Sequence, residues 1–244
     1  MSISALSVSQ IRALSTTAIK SLSTTSIQSL TTTQVGAFTT TGIGALSSTQ
    51  FGNFSTTQVR ALATTQIPSI NSSVSFTSNQ LLVLTAQQLG VLATAQVATI
   101  ETTAIQGFSI TQIGGFSSTN LSSLDQTQAA ALTTTQIGAF STTQVGGLNA
   151  TDIGELTATQ VGAITRTQIA RLGTESVAAL DTTQMAAIGT TVLQALTTSQ
   201  LGALEAADIS EFTTTQIANL STTQIRTLNT TFLSGLSDTQ VAAL

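Results

Sequence analysis

Two groups of acidic side chains have the residue types and spacing closest to a chemical site. Asp152 and Glu155 form the first group, and Glu205, Asp208 and Glu211 form the second. Paired carboxylates can act as a general acid and base, or bind Ca²⁺. Neither group has the Asp/Gly spacing of a calcium-binding loop, and Glu205 and Asp208 fall where acids favour a helix N-terminus. We interpret both groups as cap and surface residues, with a weak Ca²⁺ site as the alternative.

The rest of the composition argues against catalysis. The 244 residues include no His and no Cys, so the commonest proton shuttle and the thiolate metal ligands are missing. Charged residues make up 7% of the chain, against about 25% in ordinary globular proteins. We therefore predict that the protein is not an enzyme and has no catalytic, cofactor-binding or metal site. The net charge of −4 and the six scattered basic residues also argue against nucleic acid as a partner.

An eight-residue repeat sets the elements that carry these side chains. Residues 7–70 divide into 8 octads without a gap, and residues 77–244 divide into another 21. Only residues 71–76 break the frame, and they look like an octad from which two residues are deleted. We interpret them as a local defect and predict a single octapeptide-repeat solenoid over residues 1–244.

Two positions of the octad are consistently apolar. The fifth residue is apolar in all 29 copies, and the eighth is always Leu, Phe or Ile. The first is Ser, Thr, Asn, Asp or Gly in 25 copies, and the fourth is Gln in 19. All 16 charged residues avoid the fifth and eighth positions, which indicates two buried side chains per octad.

The polar positions of the octad favour a very short helix. Ser/Thr at position one and Gln at position four form a capping box, in which each side chain bonds to the other residue's backbone N–H. The apolar residues at position eight and at position five of the next octad match a hydrophobic staple. Thr133–Leu148 contains two such units in succession. We predict an all-α solenoid or superhelix of very short capped helices, one per octad.

A β-solenoid is the alternative fold. Thr, Ile and Val are good strand formers, Gly at position six could form a corner, and Gln could form ladders along a stack. Ala and Gln are poor strand formers, however, and a strand would not explain why position one is restricted to N-cap residues.

A single octad buries too little apolar surface to fold alone, so the repeats must stack. We expect an extended rod, and open apolar ends lead us to expect self-association, end to end or laterally. No continuous apolar run reaches 18 residues, so no membrane span is expected, and no N-terminal signal peptide is visible.

Positions two and three are predominantly Thr and would form exposed rows on the surface. The simpler interpretation is that these hydroxyls keep the protein soluble without charge. The alternative function is a surface-binding protein, in which regularly spaced Thr side chains match ice, a polysaccharide or another regular lattice.

Runs such as Thr133–Leu148 resemble the Thr/Ser-rich, cysteine-free short repeats of large bacterial secreted or surface proteins, including adhesins exported without an N-terminal signal peptide. The resemblance implies a non-enzymatic structural module, a stalk or filament. It also implies an extracellular or cell-surface location, with an extracellular surface or polysaccharide as a partner. It carries no functional residues over to this chain.

Overall fold

The structure is a computed structural model that describes residues 3–244. These residues form 28 α-helices and two 3₁₀-helices, with no strand among them. The predicted all-α array of very short helices is confirmed, and the alternative β-solenoid is wrong. None of the helices in this part of the chain has the length and hydropathy that a membrane-spanning segment needs.

The α-helices, in chain order, are α1 Val8–Arg12, α2 Thr16–Lys20, α3 Thr24–Ser29, α4 Thr32–Ala37, α5 Thr40–Gly44, α6 Ser48–Gly52, α7 Thr56–Arg60, α8 Ser78–Leu81, α9 Ala86–Gly90, α10 Thr94–Val97, α11 Thr102–Gly107, α12 Ile110–Ile113, α13 Ser118–Leu121, α14 Gln126–Ala131, α15 Thr134–Gly138, α16 Thr142–Gly146, α17 Ala150–Gly154, α18 Ala158–Val161, α19 Arg166–Ile169, α20 Thr174–Ala178, α21 Thr182–Ala187, α22 Thr190–Leu193, α23 Thr198–Gly202, α24 Ala206–Ser210, α25 Thr214–Ala218, α26 Thr222–Arg226, α27 Thr230–Gly235 and α28 Asp238–Val241. The 3₁₀-helices are Ile3–Ala5 and Ile67–Ser69.

The predicted capping box starts most of these helices. In α16, Ser141 Oγ accepts a hydrogen bond from the Gln144 backbone N–H at 3.1 Å, and Gln144 Oε1 accepts one from the Ser141 N–H at 2.8 Å. Ser141 itself is extended, with φ −68° and ψ 157°. The residue at position eight is also extended where α4 ends at Phe38, with ψ 140°. Two extended residues in succession therefore turn the chain once per octad.

One octad among the described residues lacks an α-helix. Residues 63–70 form a turn followed by the 3₁₀-helix Ile67–Ser69. Ala63 offers no side-chain cap for this segment, and Pro68 has no N–H to donate to the carbonyl four residues earlier. The expectation of one α-helix per octad is wrong here, because the chain's sole proline falls inside the segment.

Helices three octads apart pack against each other, as α1 does on α4, α17 on α20 and α18 on α21. Hydrogen bonds from position four reach four octads back along the chain. Each octad therefore contacts octads three and four places away, and one coil of the array closes between three and four octads. The residues at positions five and eight fill the inside of these coils. The fifth is at most 5% exposed from Ile11 to Ile217.

The six-residue segment Asn71–Phe76 occupies the place of a whole octad. Its Val74 and Phe76 are buried like the fifth and eighth residues elsewhere. Gln58 bonds to the carbonyl 28 residues earlier, whereas Gln80, whose bond spans the segment, reaches the equivalent carbonyl 26 residues earlier. The interval returns to 28 at Gln112. The two missing residues are thus absorbed locally, and the winding of the coils continues through the defect.

The chain separates into two compact units, one ending at Ser123 and the other running from Leu124 to Leu244. Asn71–Phe76 lies inside the first unit. The pattern of short helices with position-four hydrogen bonds occurs in each unit. A single solenoid over the whole chain stays a prediction.

Glycine at position six allows close approach of two coils, and this can be tested by a matched pair. A Cβ on Gly44 would lie 2.8 Å from the Ser69 carbonyl oxygen, whereas a Cβ on Gly52 would have no neighbour within 4 Å. We expect Gly44→Ala to reduce the free energy of unfolding by about 1–3 kcal/mol because the backbone must move. Gly52→Ala should be neutral or stabilising by up to about 1 kcal/mol, as alanine favours a helix. Equal effects in urea denaturation would contradict this packing.

Candidate functional site: a glutamine ladder and a threonine row

Where the fourth residue of an octad is a buried Gln, its side chain makes two kinds of hydrogen bond at once. Gln58 is 3% exposed, and its Oε1 accepts a hydrogen bond from the Ser55 N–H at 2.8 Å. Its Nε2 donates to the carbonyl oxygens of Ile27 at 2.9 Å and Leu30 at 2.7 Å. One carboxamide thus caps its own helix and satisfies two carbonyls at the end of a helix in the neighbouring coil. A buried polar group of this kind is tolerated because its donors and acceptor all have partners.

The same arrangement recurs along both units, and we call it the glutamine ladder. In each case, Nε2 donates to one or more backbone carbonyls in an earlier coil of the same unit. The members whose bonds the structure places within one unit are Gln34, Gln50, Gln58, Gln66, Gln80, Gln88, Gln96, Gln112, Gln160, Gln168, Gln184, Gln200, Gln216, Gln224 and Gln240.

The sequence predicted the capping role of these glutamines but not their burial or their bonds between coils. One feature of the sequence could have revealed the burial of these glutamines and their bonds between coils. A capping box accepts Glu as readily as Gln, yet no octad has Glu at position four. Only the amide of Gln can donate a hydrogen bond to the carbonyls of the neighbouring coil, since an ionised carboxylate only accepts hydrogen bonds.

Two substitutes at position four keep part of the ladder. Asn120 Nδ2 donates to the Leu92 carbonyl at 2.8 Å, and Ser176 Oγ donates to the Leu148 carbonyl at 3.0 Å. Both side chains are 3% exposed. The bond to the eighth-position carbonyl is therefore retained even where the side chain is shorter.

The acidic groups singled out from the sequence serve partly as caps. Asp152 Oδ2 accepts from the Asn149 N–H, and Asp208 Oδ2 from the Glu205 N–H, each at 2.8 Å. Within residues 3–244, no group of three or more His, Cys, Asp or Glu side chains is placed so that it could hold a metal ion. The prediction that Asp208 belongs at a helix start is confirmed, and the same holds for Asp152.

The structure adds one carboxylate to each group, contributed by the octad three places earlier. Asp125 raises the pKa of Glu155, and Asp181 raises that of Glu211. In both glutamates burial is the larger cause. The second set follows the first by 56 residues, or seven octads, at all three places. The two sets are Asp125, Asp152 and Glu155, and Asp181, Asp208 and Glu211. This duplication is visible in the sequence. The sequence does not show that the three carboxylates of a set lie close together, because that requires contact between octads three places apart.

Glu211 should oppose folding at neutral pH. Burial is the first cause of its raised pKa, and the charges of Asp208 and Asp181 add to it, while a hydrogen bond from Thr182 acts in the opposite direction. One carboxylate oxygen, Oε2, is buried without a hydrogen-bond partner. A carboxyl whose pKa is higher in the folded state destabilises the fold when ionised, and the effect disappears below its unfolded value.

We therefore expect Glu211→Gln to raise the Tm at pH 7. The gain should shrink as the pH falls through the raised pKa and vanish below the ordinary value of 4.5. Thermal unfolding followed by circular dichroism at several pH values tests this, with the exposed Glu175→Gln as the control. A gain of equal size at pH 7 and pH 3 would exclude this electrostatic origin.

The outer surface carries the threonine row predicted at position three, whereas position two, also predicted to be exposed, is half-buried in several octads, as at Thr56 and Thr102. The third residue is exposed in every octad, and it is Thr in most of them. Some of these hydroxyls bond locally, as Thr57 does with Ser55 at 2.9 Å. The row therefore presents a repeating set of hydroxyl and methyl groups that contains almost no charge.

Comparison with known proteins identifies a repeat type. Residues 3–40 and 177–214, which together make up less than half of the chain, match the ALTTAQ repeat family. The letters of that name correspond to positions seven and eight of one octad and one to four of the next, as in Ala195–Gln200. No curated protein shows significant similarity to the chain. The protein is thus a repeat protein, and two of its segments are similar to the ALTTAQ repeat.

Proposed function

We propose that the protein is a non-enzymatic structural module, an extended stalk of a bacterial surface or secreted protein. The observation that carries this proposal is the glutamine ladder. Except where the bond spans the six-residue defect, each rung bonds at an interval of 28 residues to the eighth-position carbonyl, as in Gln168 to Phe140 and Gln200 to Leu172. Every added octad can therefore make the same bonds as the one before, so the number of octads would set the length.

Adding octads tests this proposal. Duplicating residues 133–188 inserts seven whole octads, and particle dimensions can be measured by electron microscopy and small-angle X-ray scattering. We expect the length to grow in proportion to the number of octads while the width stays constant. Duplicating residues 133–184 instead inserts a number of residues that is not a multiple of eight, and should lower the Tm. A particle that grows equally in all dimensions would contradict the stalk.

The location at the cell surface is a separate part of the proposal. The composition supports it, since the surface gains its solubility from Thr and Ser rather than from charge. Antibody labelling of intact and permeabilised source cells tests it directly. Labelling of intact cells is expected, and labelling only after permeabilisation would overturn this part.

The threonine row supports a second candidate function, adhesion to a regular surface such as ice or a polysaccharide. The supporting observation is that the third position is exposed in all octads. Thermal hysteresis and co-sedimentation with insoluble polysaccharides would detect such binding. Replacing Thr135, Thr143 and Thr159 with Lys should weaken it while the Tm is kept, because these side chains point to solvent. Absence of both activities in the unmodified protein would exclude this candidate.

A further inference from the structure

A cavity of about 700 Å³ lies in the first unit, beside the six-residue segment Asn71–Phe76 that replaces a whole octad. Three successive coils contribute to its walls, through residues 15–22, residues 39–54 and the segment itself. Sites for small molecules in proteins have volumes of about 300–1,000 Å³. The cavity therefore has the size of a small-molecule site, and it lies where the repeat is interrupted.

The six-residue segment supplies one wall as a tight turn. Asn71 Oδ1 accepts hydrogen bonds from the Ser73 N–H and from Ser73 Oγ, both at 2.9 Å. Ser48 Oγ, in the preceding coil, donates to the Ser73 carbonyl at 2.9 Å and holds the turn against its octad. The Asn71 side chain lines the cavity, and within residues 3–244 its Nδ2 makes no hydrogen bond. This amide group is therefore a fixed donor that is available to a ligand.

Lys20 brings a positive charge to the cavity from another coil. The glutamine ladder fixes its backbone, because Gln50 Nε2 donates to the carbonyls of Ile19 at 2.9 Å and Lys20 at 3.2 Å. The Lys20 side chain is exposed and has no ion pair or hydrogen bond within residues 3–244. Residues 1–100 include three basic side chains but no Asp or Glu. No carboxylate from this part of the chain therefore competes with a ligand for the ammonium group.

Hydroxyl groups complete the polar lining of the cavity. Thr16, Thr41 and Ser48 lie along it, and each hydroxyl can both donate and accept a hydrogen bond. None of the described residues that line the cavity is aromatic, so a nucleobase would find no ring on which to stack. One ammonium, one free amide donor and several hydroxyls match a ligand with a single negative charge and several hydroxyl groups of its own.

We infer that this cavity binds the uronic acid unit of an acidic saccharide, with Lys20 at the carboxylate and Asn71 at the sugar hydroxyls. A single ammonium neutralises a single carboxylate. A phosphate monoester carries a charge of about −1.5 to −2 at pH 7, which one lysine would neutralise only in part. A neutral sugar would gain nothing from the charge. The inference goes beyond both proposed functions, since it requires neither an extended stalk nor a regular lattice of threonines.

Titration followed by ¹⁵N NMR tests the inference, with glucuronate, glucose and inorganic phosphate as probes. The signal of the Asn71 carboxamide is identified by its loss in Asn71→Asp. We expect glucuronate to shift this signal saturably and to bind at least about tenfold more tightly than glucose or phosphate. A short glucuronate oligomer distinguishes the sources of the ligand. Tighter binding of the oligomer indicates a polysaccharide, whereas equal binding indicates the free sugar acid, and either result supports the site.

Two substitutions and a matched control locate the site by calorimetric titration with glucuronate. Lys20→Gln removes the charge, and Asn71→Asp keeps the acceptor for Ser73 but adds a negative charge to the cavity. Each should raise the dissociation constant at least about tenfold, with an unchanged Tm. Arg60→Gln should have no effect, because Arg60 is an exposed residue at the same position six that does not line the cavity.

Three results would overturn the inference. Glucuronate might show no saturable binding, phosphate or glucose might bind as tightly as glucuronate, or binding might survive Lys20→Gln and Asn71→Asp. The last result would place the anion elsewhere, for example in the groove of the second unit that Arg166 and Arg171 line. Each of these results would leave the proposed stalk and the threonine row untouched, since neither depends on this cavity.

Discussion

Replacing Gln58 with glutamate should lower the free energy of unfolding by about 3–5 kcal/mol at pH 7. The new carboxylate keeps the bond from the Ser55 N–H but faces the carbonyl oxygens of Ile27 and Leu30, to which it has no proton to donate. A buried charge is then left beside two acceptors. Urea denaturation at constant temperature measures the loss.

Acid should reverse much of this effect. Burial beside carbonyl oxygens raises the pKa of the introduced carboxyl in the folded state, so the protonated form is favoured there. The deficit is present in full above that raised pKa, shrinks as the pH falls through it, and is smallest below the unfolded value. A loss of stability that is independent of pH would indicate a steric cause instead.

Gln10 provides the matched control for this substitution. It occupies the same position four, and its Oε1 makes the same bond to the first residue of its octad, but the side chain is exposed. Gln10→Glu should change the free energy of unfolding by less than about 0.5 kcal/mol, with any change favourable because an acid suits a helix N-terminus. If Gln58→Glu and Gln10→Glu lower the free energy of unfolding equally, the loss comes from the cap bond, and the bonds between coils contribute little.

Replacing Phe51 with alanine should cost about 3–5 kcal/mol. The ring is fully buried and meets Phe54 and Phe76 edge to face, with centroids 5.6 and 5.0 Å away. Because Phe76 belongs to the six-residue defect, this cluster also holds the defect in register with the preceding octads. The substitution therefore leaves a cavity where the winding is least regular.

Val241→Ala is the control for the core, since this fifth-position side chain is 53% exposed. We expect a loss below about 1 kcal/mol there, because little apolar surface is removed from burial. Thermal and urea unfolding of both variants measure the difference. A small loss at Phe51 would mean that the octads around the defect are not cooperatively packed.

The helix type and its boundaries could be predicted from the octad, because they depend on local chemistry. Ser141 and Gln144 are three residues apart, so the capping box that starts α16 can be recognised from spacing alone. The two buried positions follow from their apolar composition. Residues 63–70 are the exception, because one proline there was enough to replace the α-helix by a 3₁₀ turn.

Which residues the ladder and the acidic sets bring together could not be predicted, because this depends on which octads become neighbours. Nothing in the spacing of Gln58 and Ser55 indicates that Leu30 lies in the adjacent coil. The coupling of Asp181 to Glu211 likewise requires contact between octads three places apart. The number of octads per coil arises from packing of whole helices, and a local repeat does not encode it visibly.

The most direct test of the account is hydrogen exchange at the glutamine side chains, observed by NMR of protein labelled with ¹⁵N in its carboxamide groups. If the ladder joins the coils, the Nε2 protons of Gln58, Gln168 and Gln200 should be protected to a degree that follows unfolding of the surrounding coils. Those of the exposed Gln10 should exchange as fast as in an unfolded chain. Fast exchange at all four glutamines would contradict the central claim that position four holds one coil to the next.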